Sequence, residues 1–170
     1  NNSKDKNIQK LKKYKIKKIL NINKFLPGKS LNYGIKFSKG EFIVCLSAHC
    51  IPVNNNWLKN LILAIEEDKS YAGVYGRQEP MSFTNESDKR DLITIFGLDR
   101  KVQLKDPFFH NANSIIRSDL IKKHPFDNRT TNIEDRLWAQ KMIKKNFKIL
   151  YEPQASVFHY HGIHQDGNRD

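Results

Sequence analysis

The chain has 170 residues, with 30 Lys and Arg against 18 Asp and Glu and a net charge of +12. That length suits one domain or a large part of one, and with 38% hydrophobic and 11% aromatic residues it can bury a core, which excludes wholesale disorder. No apolar run approaches the roughly 18 residues of a membrane span, the opening NNSKDKNIQK has no secretory-signal pattern, and two cysteines, Cys45 and Cys50, exclude a disulfide framework and a four-cysteine zinc site.

The charge sits at one end. Residues 1–40 hold twelve Lys and one acid, Asp5, for a net +11, whereas residues 41–170 hold 18 basic and 17 acidic side chains. Within that basic stretch Ser3 to Lys13 reads as a helix, capped by Ser3 or Asp5, and Lys15 to Ile22 as a strand. Pro27-Gly28 is a turn, and Ser30 opens a short helix with Leu31, Ile35 and Phe37 inward and Lys39-Gly40 as its close. Tyr14, Phe25, Tyr33 and Phe37 fall at core-like spacing, which argues against nucleic acid as the partner of the lysines.

Glu41 to Ser47 is the clearest strand. Its five consecutive apolar residues, Phe42 to Leu46, predict burial on both faces. Ser47-Ala48-His49-Cys50 follows, then a helix from about Asn55 to Glu67 with Leu58, Leu61, Ile62 and Ile65 as its stripe. Tyr71 to Tyr75 reads as a strand. Gly76 to Pro107 is polar, with an amphipathic piece around Leu92 to Leu98, and reads as a variable loop region. Asn113 to Arg117 is a strand and Ser118 to Lys123 a short helix. Asn132 caps a helix to about Asn146 with Ile133, Leu137, Met142 and Ile143 inward. Lys148 to Tyr151 and Ala155 to Phe158 are short strands ahead of a His-rich tail. The alternating order predicts an α/β fold with a mostly parallel sheet covered by helices, and ligands at the carboxyl ends of its strands, where His49 lies.

Two blocks, PGKSLNYGIKFSKGEFIVCLSAHCIPVNNNWL (27–58) and FFHNANSIIRSDLIKKHPFDNRTTNIEDRLWAQKMIKKNFKILYEPQASVFHYHG (108–162), resemble family 2 glycosyltransferases of the GT-A fold, nearest to bacterial transferases that build surface polysaccharides. The resemblance implies a single partial domain, with a donor-side half at 1–75, a variable region at 76–107 and an acceptor-side half with the tail at 108–170. It implies that the family's first strand and most of its second are missing ahead of Asn1. It also shows a departure, since the family's Asp-x-Asp stands here as Ser47-Ala48-His49.

Such a transferase moves a sugar from a nucleotide-sugar donor to a glycan or lipid-linked acceptor with inversion. A divalent cation, Mn²⁺ or Mg²⁺, offsets the charge of the leaving diphosphate. The resemblance makes His49 a metal ligand or a donor contact, with His159 or His161 completing the metal site. Cys50 adjoins His49, but a single Cys-His pair lacks the usual zinc spacing. The Glu134-Asp135 pair matches the family's acidic pair, with Asp135 as general base and Glu134 orienting a substrate. Without the resemblance, acids behind an Asn cap are plain helix chemistry. Asp5, Lys29 and Asn32 match donor-side positions, although Asp5 is equally a cap and Lys29 equally a solvated lysine. Asn111 and Asn113 fall on the acceptor side, with Arg117 at the end of the same strand. Trp138 stacks on a sugar or joins the core. The implied location is cytoplasmic, with the lysines drawn to the anionic inner face of the membrane. The alternative is a degenerate or partial domain that binds nucleotide or sugar without turnover, or needs a partner.

Overall fold

The computed structural model describes residues 13–160. The predicted helix at Ser3 to Lys13, Asp5 and His161 fall essentially outside that range. Residues 13–26 form neither helix nor strand, so the predicted strand at Lys15 to Ile22 is absent: Ile16 and Ile19 are exposed and find no sheet edge. The first helix, α1 (Pro27–Ile35), opens at Pro27 and not at Ser30, because proline's fixed φ suits the first helical position, where its missing N–H costs nothing. Tyr14, Phe25, Tyr33 and Phe37 are all exposed, against the inward reading of their spacing. Phe37 instead meets Tyr33 edge-on and carries the Lys18 ammonium over its ring.

The remaining elements are β1 (Phe42–Leu46), β2 (Cys50–Pro52), α2 (Trp57–Glu66), β3 (Tyr71–Pro80), α3 (Glu86–Ile95), β4 (Lys101–Gln103), β5 (Asn113–Arg117), α4 (Ser118–Lys123), α5 (Glu134–Ile143) and β6 (Lys148–His159). The region read as a loop holds half of β3, all of α3 and β4. Asn85 caps α3 by accepting the Asp88 N–H at 2.9 Å. The two short terminal strands are one long β6, whose pairing with β3 shifts register between Gly76 and Gln78.

The sheet runs β1-β5-β3-β6-β2, with β4 also on β6. The α/β fold class holds, but the sheet is mixed. Among the described residues only β3 and β6 pair in parallel, and the β1–β5, β3–β5, β2–β6 and β4–β6 pairings are antiparallel. An apolar run reports burial, not direction, so the sequence carried no signal that β5 inserts backwards between β1 and β3. β1 is an edge of the sheet among the described residues. Ile43 and Cys45 face the core while Val44 and Leu46 are exposed, so burial alternates where the unbroken run predicted two covered faces.

Among the described residues two large apolar clusters flank the sheet, beside a small third one of Cys50, Ala112 and Val157. One gathers Ile43, Tyr75, Phe96, Phe109, Trp138 and Met142, and the other Leu61, Ile65, Val74, Ile115 and Leu150 under α2. Close approach of β3 to β6 needs Gly76, since a Cβ there would run into the Ala155 carbonyl and the Asn113 amide.

Candidate active site

β1, β3 and β6 run the same way, so their carboxyl ends share one end of the sheet, and β5 starts from that end. Three segments meet there. The turn after β1 carries His49 and is tied down by Ser47 N–H to Ala112 O at 3.0 Å and Cys50 N–H to Ser47 O at 3.0 Å. The loop into β5 is held by Gln103, whose side-chain amide donates to Phe108 O, and by the Asn111 N–H, which donates to Asp135 Oδ2 at 3.1 Å. The N-terminus of α5 supplies Glu134 and Asp135.

That helix does not start as predicted. Asn132 takes a left-handed φ of 68° rather than capping, and Ile133 occupies the cap position with no side-chain bond. Asp135 itself accepts the Arg136 N–H at 2.8 Å. The buried face carries Glu134, Asp135, Trp138, Ala139 and Met142, while Ile133 and Leu137 are exposed. A soluble helix that hides two carboxylates and shows an isoleucine and a leucine to water has its polarity inverted at one end. Burial lifts both carboxyls above the ordinary range. For Glu134 the Asp135 charge adds to the lift and the Asn111 amide opposes it; for Asp135 the Asn111 and Arg136 N–H groups and the Arg136 charge oppose it. Glu134 Oε2 is buried without a hydrogen-bond partner among the described residues.

His159 ends β6 and is only 3% exposed, so it belongs to the sheet and not to an exposed tail. It sits opposite Cys50 in the β2–β6 register, and the His49 and His159 rings meet edge-on with centroids 4.7 Å apart. Candidate ligand atoms of His49, Cys50 and His159 all lie within 4.8 Å of one another. Burial pushes the Cys50 thiol up to about 12, as it does the core thiol of Cys45. His110 lies against the same turn. Its Nδ1 accepts the Ala112 N–H at 3.3 Å, and burial, with Arg136 and His49 adding, pushes its imidazole down to about 4, so it is neutral at working pH. Sequence reasoning passed over His110 and set Cys50 aside. The only signal for either was a His or Cys beside a strand terminus.

Other predicted site residues are occupied elsewhere. Trp138 is 2% exposed, donates its indole N–H to His124 O at 2.8 Å, and packs on Phe109 and Phe126, so it is core and offers no face to a sugar. Asn113 is fully buried. It donates to Arg77 O and Ala155 O and accepts from Trp57 Nε1, which spends both ends of its amide on the fold. Asn32 donates to Phe126 O and Asn128 Oδ1 and accepts the Phe126 N–H, which clamps α1 to the loop before α5. Arg117 donates to the carbonyls of Tyr71, Ile65 and Asp68. Lys29 is exposed on α1, and Asn111 is buried between the loop and Asp135.

A mixed, helix-covered sheet with a buried acidic pair at one end is consistent with a GT-A glycosyltransferase domain, and the turn Ser47-Ala48-His49 is where it departs from that family's Asp-x-Asp. Residues 1–124 match the profile of glycosyl transferase family 2, and the chain belongs to that family. It is 29% identical over 133 residues to the O-antigen chain rhamnosyltransferase WbaN of Salmonella anatum, a match covering 72% of this chain and 42% of that protein. Among solved structures it resembles S. aureus TarS 1-349 in complex with UDP, with a TM-score of 0.69, 19% identity, and 93% of this chain and 48% of that one covered. It also resembles the mannosyltransferase PcManGT of Pyrobaculum calidifontis in complex with GDP-Man and Mn²⁺, with a TM-score of 0.58, 15% identity, and 82% and 37% covered. The chain thus spans less than half the length of these relatives. No helix among the described residues is long and apolar enough to cross a membrane.

Proposed function

We propose that this chain carries the base-bearing site of an inverting, hexosyl-type transferase that moves a sugar from a nucleotide-sugar to a hydroxyl of a glycan or lipid-linked acceptor in bacterial surface-polysaccharide synthesis. The observation that carries this reading is the buried Glu134–Asp135 pair, fixed by the Asn111 N–H next to the histidine turn. A carboxylate with a raised pKa, held in place by main-chain donors, suits a general base. Asp135 takes the acceptor's proton as the acceptor oxygen bonds the anomeric carbon from the face opposite the departing diphosphate, and the bond to the diphosphate breaks. Glu134 orients a substrate hydroxyl.

The family's rhamnosyltransferase relative and the UDP- and GDP-Man-bound neighbours support a nucleotide-sugar donor. Asp5 and Lys29 are the donor-side candidates, and Asn111 the acceptor-side one. The donor set of His49 and His159, with His161 as a further candidate, suits a divalent cation, which when bound would neutralise charge on the leaving diphosphate. The basic segment before α1 gives peripheral contact with an anionic membrane face.

Calorimetric titration with UDP-, GDP-, CMP- and dTDP-sugars, with and without Mn²⁺, tests the reading. Binding of one donor is expected. Asp135→Asn should leave donor affinity unchanged and cut turnover by about 10²–10⁴-fold; unaltered turnover removes Asp135 as base. A second reading, a degenerate domain that binds without turnover, is favoured by the turn Ser47-Ala48-His49, which offers no carboxylate. Donor binding without any transfer to acceptor supports that second reading, and no binding to any donor defeats the transfer reading for this chain acting alone.

A further inference from the structure

The geometry points to a thiophilic metal site at His49, Cys50 and His159, in which Cys50 is a direct ligand and the fitting ion is zinc-like rather than Mg²⁺ or Mn²⁺. It deepens the proposed donor site, because it shares both histidines with it, but it stands on the local geometry alone.

Strand alternation should separate neighbours such as His49 and Cys50 onto opposite faces. His49 escapes this because it lies in the turn before β2, not in the strand. Its ring therefore comes back to the side on which Cys50 faces His159 across the antiparallel ladder. Main-chain bonds fix the placement from both strands: Cys50 N–H donates to Ser47 O at 3.0 Å, and Tyr160 N–H donates to His49 O at 3.0 Å. The three candidate donor atoms already lie within 4.8 Å of one another. A tetrahedral site with bonds of about 2.0–2.1 Å to nitrogen and 2.3 Å to sulfur needs separations of about 3.3–3.6 Å, a closure that side-chain rotation covers.

The donor types then choose the ion. Two imidazoles and a sulfur form a borderline-to-soft set that suits Zn²⁺ or Co²⁺, whereas Mg²⁺ and Mn²⁺ prefer oxygen. No carboxylate belongs to the group formed by His49, Cys50 and His159. The metal takes the place of the thiol proton, which leaves to solvent as the metal–sulfur bond forms. Three protein ligands leave a fourth position open for an oxygen of water or of a diphosphate, the arrangement of reactive rather than closed structural zinc sites.

The test reads the metal on the full chain under reducing conditions. Titration with Co²⁺ should give a thiolate-to-cobalt charge-transfer band that Zn²⁺ abolishes at one equivalent. Cys50→Ser should lose the band and bind Zn²⁺ at least about tenfold more weakly, while Cys45→Ser keeps both. X-ray absorption of the zinc-loaded unsubstituted chain needs no variant, and should show one sulfur neighbour at about 2.3 Å. A shell of nitrogen and oxygen alone, or Mn²⁺ binding as tightly as Zn²⁺, overturns the assignment. Because none of these measurements uses a sugar donor, failure here leaves the transfer reading standing. A zinc site in a chain that binds no nucleotide-sugar would in turn leave this one standing.

Discussion

At the scale of single residues, the acidic pair makes a prediction about pH. Glu134 and Asp135 both titrate above the ordinary carboxylate range because they are buried. In the folded chain they therefore hold their protons to higher pH than in the unfolded chain. Stability from that bound proton is complete at low pH and is lost as pH rises through the folded values, so at neutral pH the ionised pair opposes folding. Glu134→Gln and Asp135→Asn should each raise the melting temperature at neutral pH, with the gain disappearing in acid. Melting curves across pH check this, and a gain that persists below the ordinary carboxylate range would show that charge is not its cause. On the proposed role of Asp135 as base, the same shift places the acid limb of kcat/KM above the ordinary carboxylate range. Arg136 is the cation that holds Asp135 down, so Arg136→Ala should move that limb further up in pH.

At the scale of elements, α1 shows what a motif can and cannot say. Its run PGKSLN was legible as a helix and as a family block, and Asn32 within it reads as a donor contact. In the structure that amide makes three bonds to residues 126–128, and a Cβ on Gly28 would strike the Asp127 carbonyl. The block marks a docking surface between α1 and the loop before α5. Asn32→Ala, which leaves the Phe126 N–H and carbonyl without partners, should cost about 1–3 kcal/mol, several degrees in Tm. An unchanged Tm with weakened nucleotide binding would return Asn32 to the donor site. α2 was legible in type, since Leu61 and Ile65 lie one turn apart and are buried, but Leu58 of the predicted stripe is exposed; β5 was legible only as a short strand, because its buried run Asn113 to Ile116 follows no two-residue period. α5 misled in its facing. Ile133 and Leu137 carry the apolar label, but the side turned inward was decided by Trp138, Met142 and the two carboxylates. Of the proposed metal cluster, the motif order had singled out His49 and His159 as candidates, whereas Cys50 becomes their neighbour through the β2–β6 pairing, which no local pattern announces. Strand direction was illegible for the same reason, because pairing partners far apart in sequence leave no periodic trace.

At the scale of the whole molecule, charge and chemistry are segregated. The candidate site at one end of the sheet is built from residues beyond Glu41, where basic and acidic side chains nearly balance. Lys13, Lys15, Lys17, Lys18, Lys24, Lys29, Lys36 and Lys39 precede it and are all exposed, and Tyr14, Ile16, Ile19 and Phe25 lie exposed among them. Lysines interleaved with exposed apolar and aromatic side chains suit an anionic lipid surface, where each well-placed Lys contributes about 1 kcal/mol. Four of the eight in contact would give about 4 kcal/mol, roughly a thousandfold in partitioning. Sedimentation with vesicles should therefore show binding to phosphatidylserine-containing membranes and little to purely zwitterionic ones. The binding should collapse at 1 M salt, where the screening length falls to about 3 Å. Replacing Lys13, Lys15, Lys17 and Lys18 with Gln should abolish most of it while leaving nucleotide-sugar affinity intact. The same exposed aromatics could stack on bases, so a single-stranded oligonucleotide is the decisive competitor. An oligonucleotide that displaces the chain from the vesicles at stoichiometric concentration, or equal binding to charged and neutral membranes, would overturn the lipid assignment and make the basic segment a nucleic-acid surface or a merely solvated one.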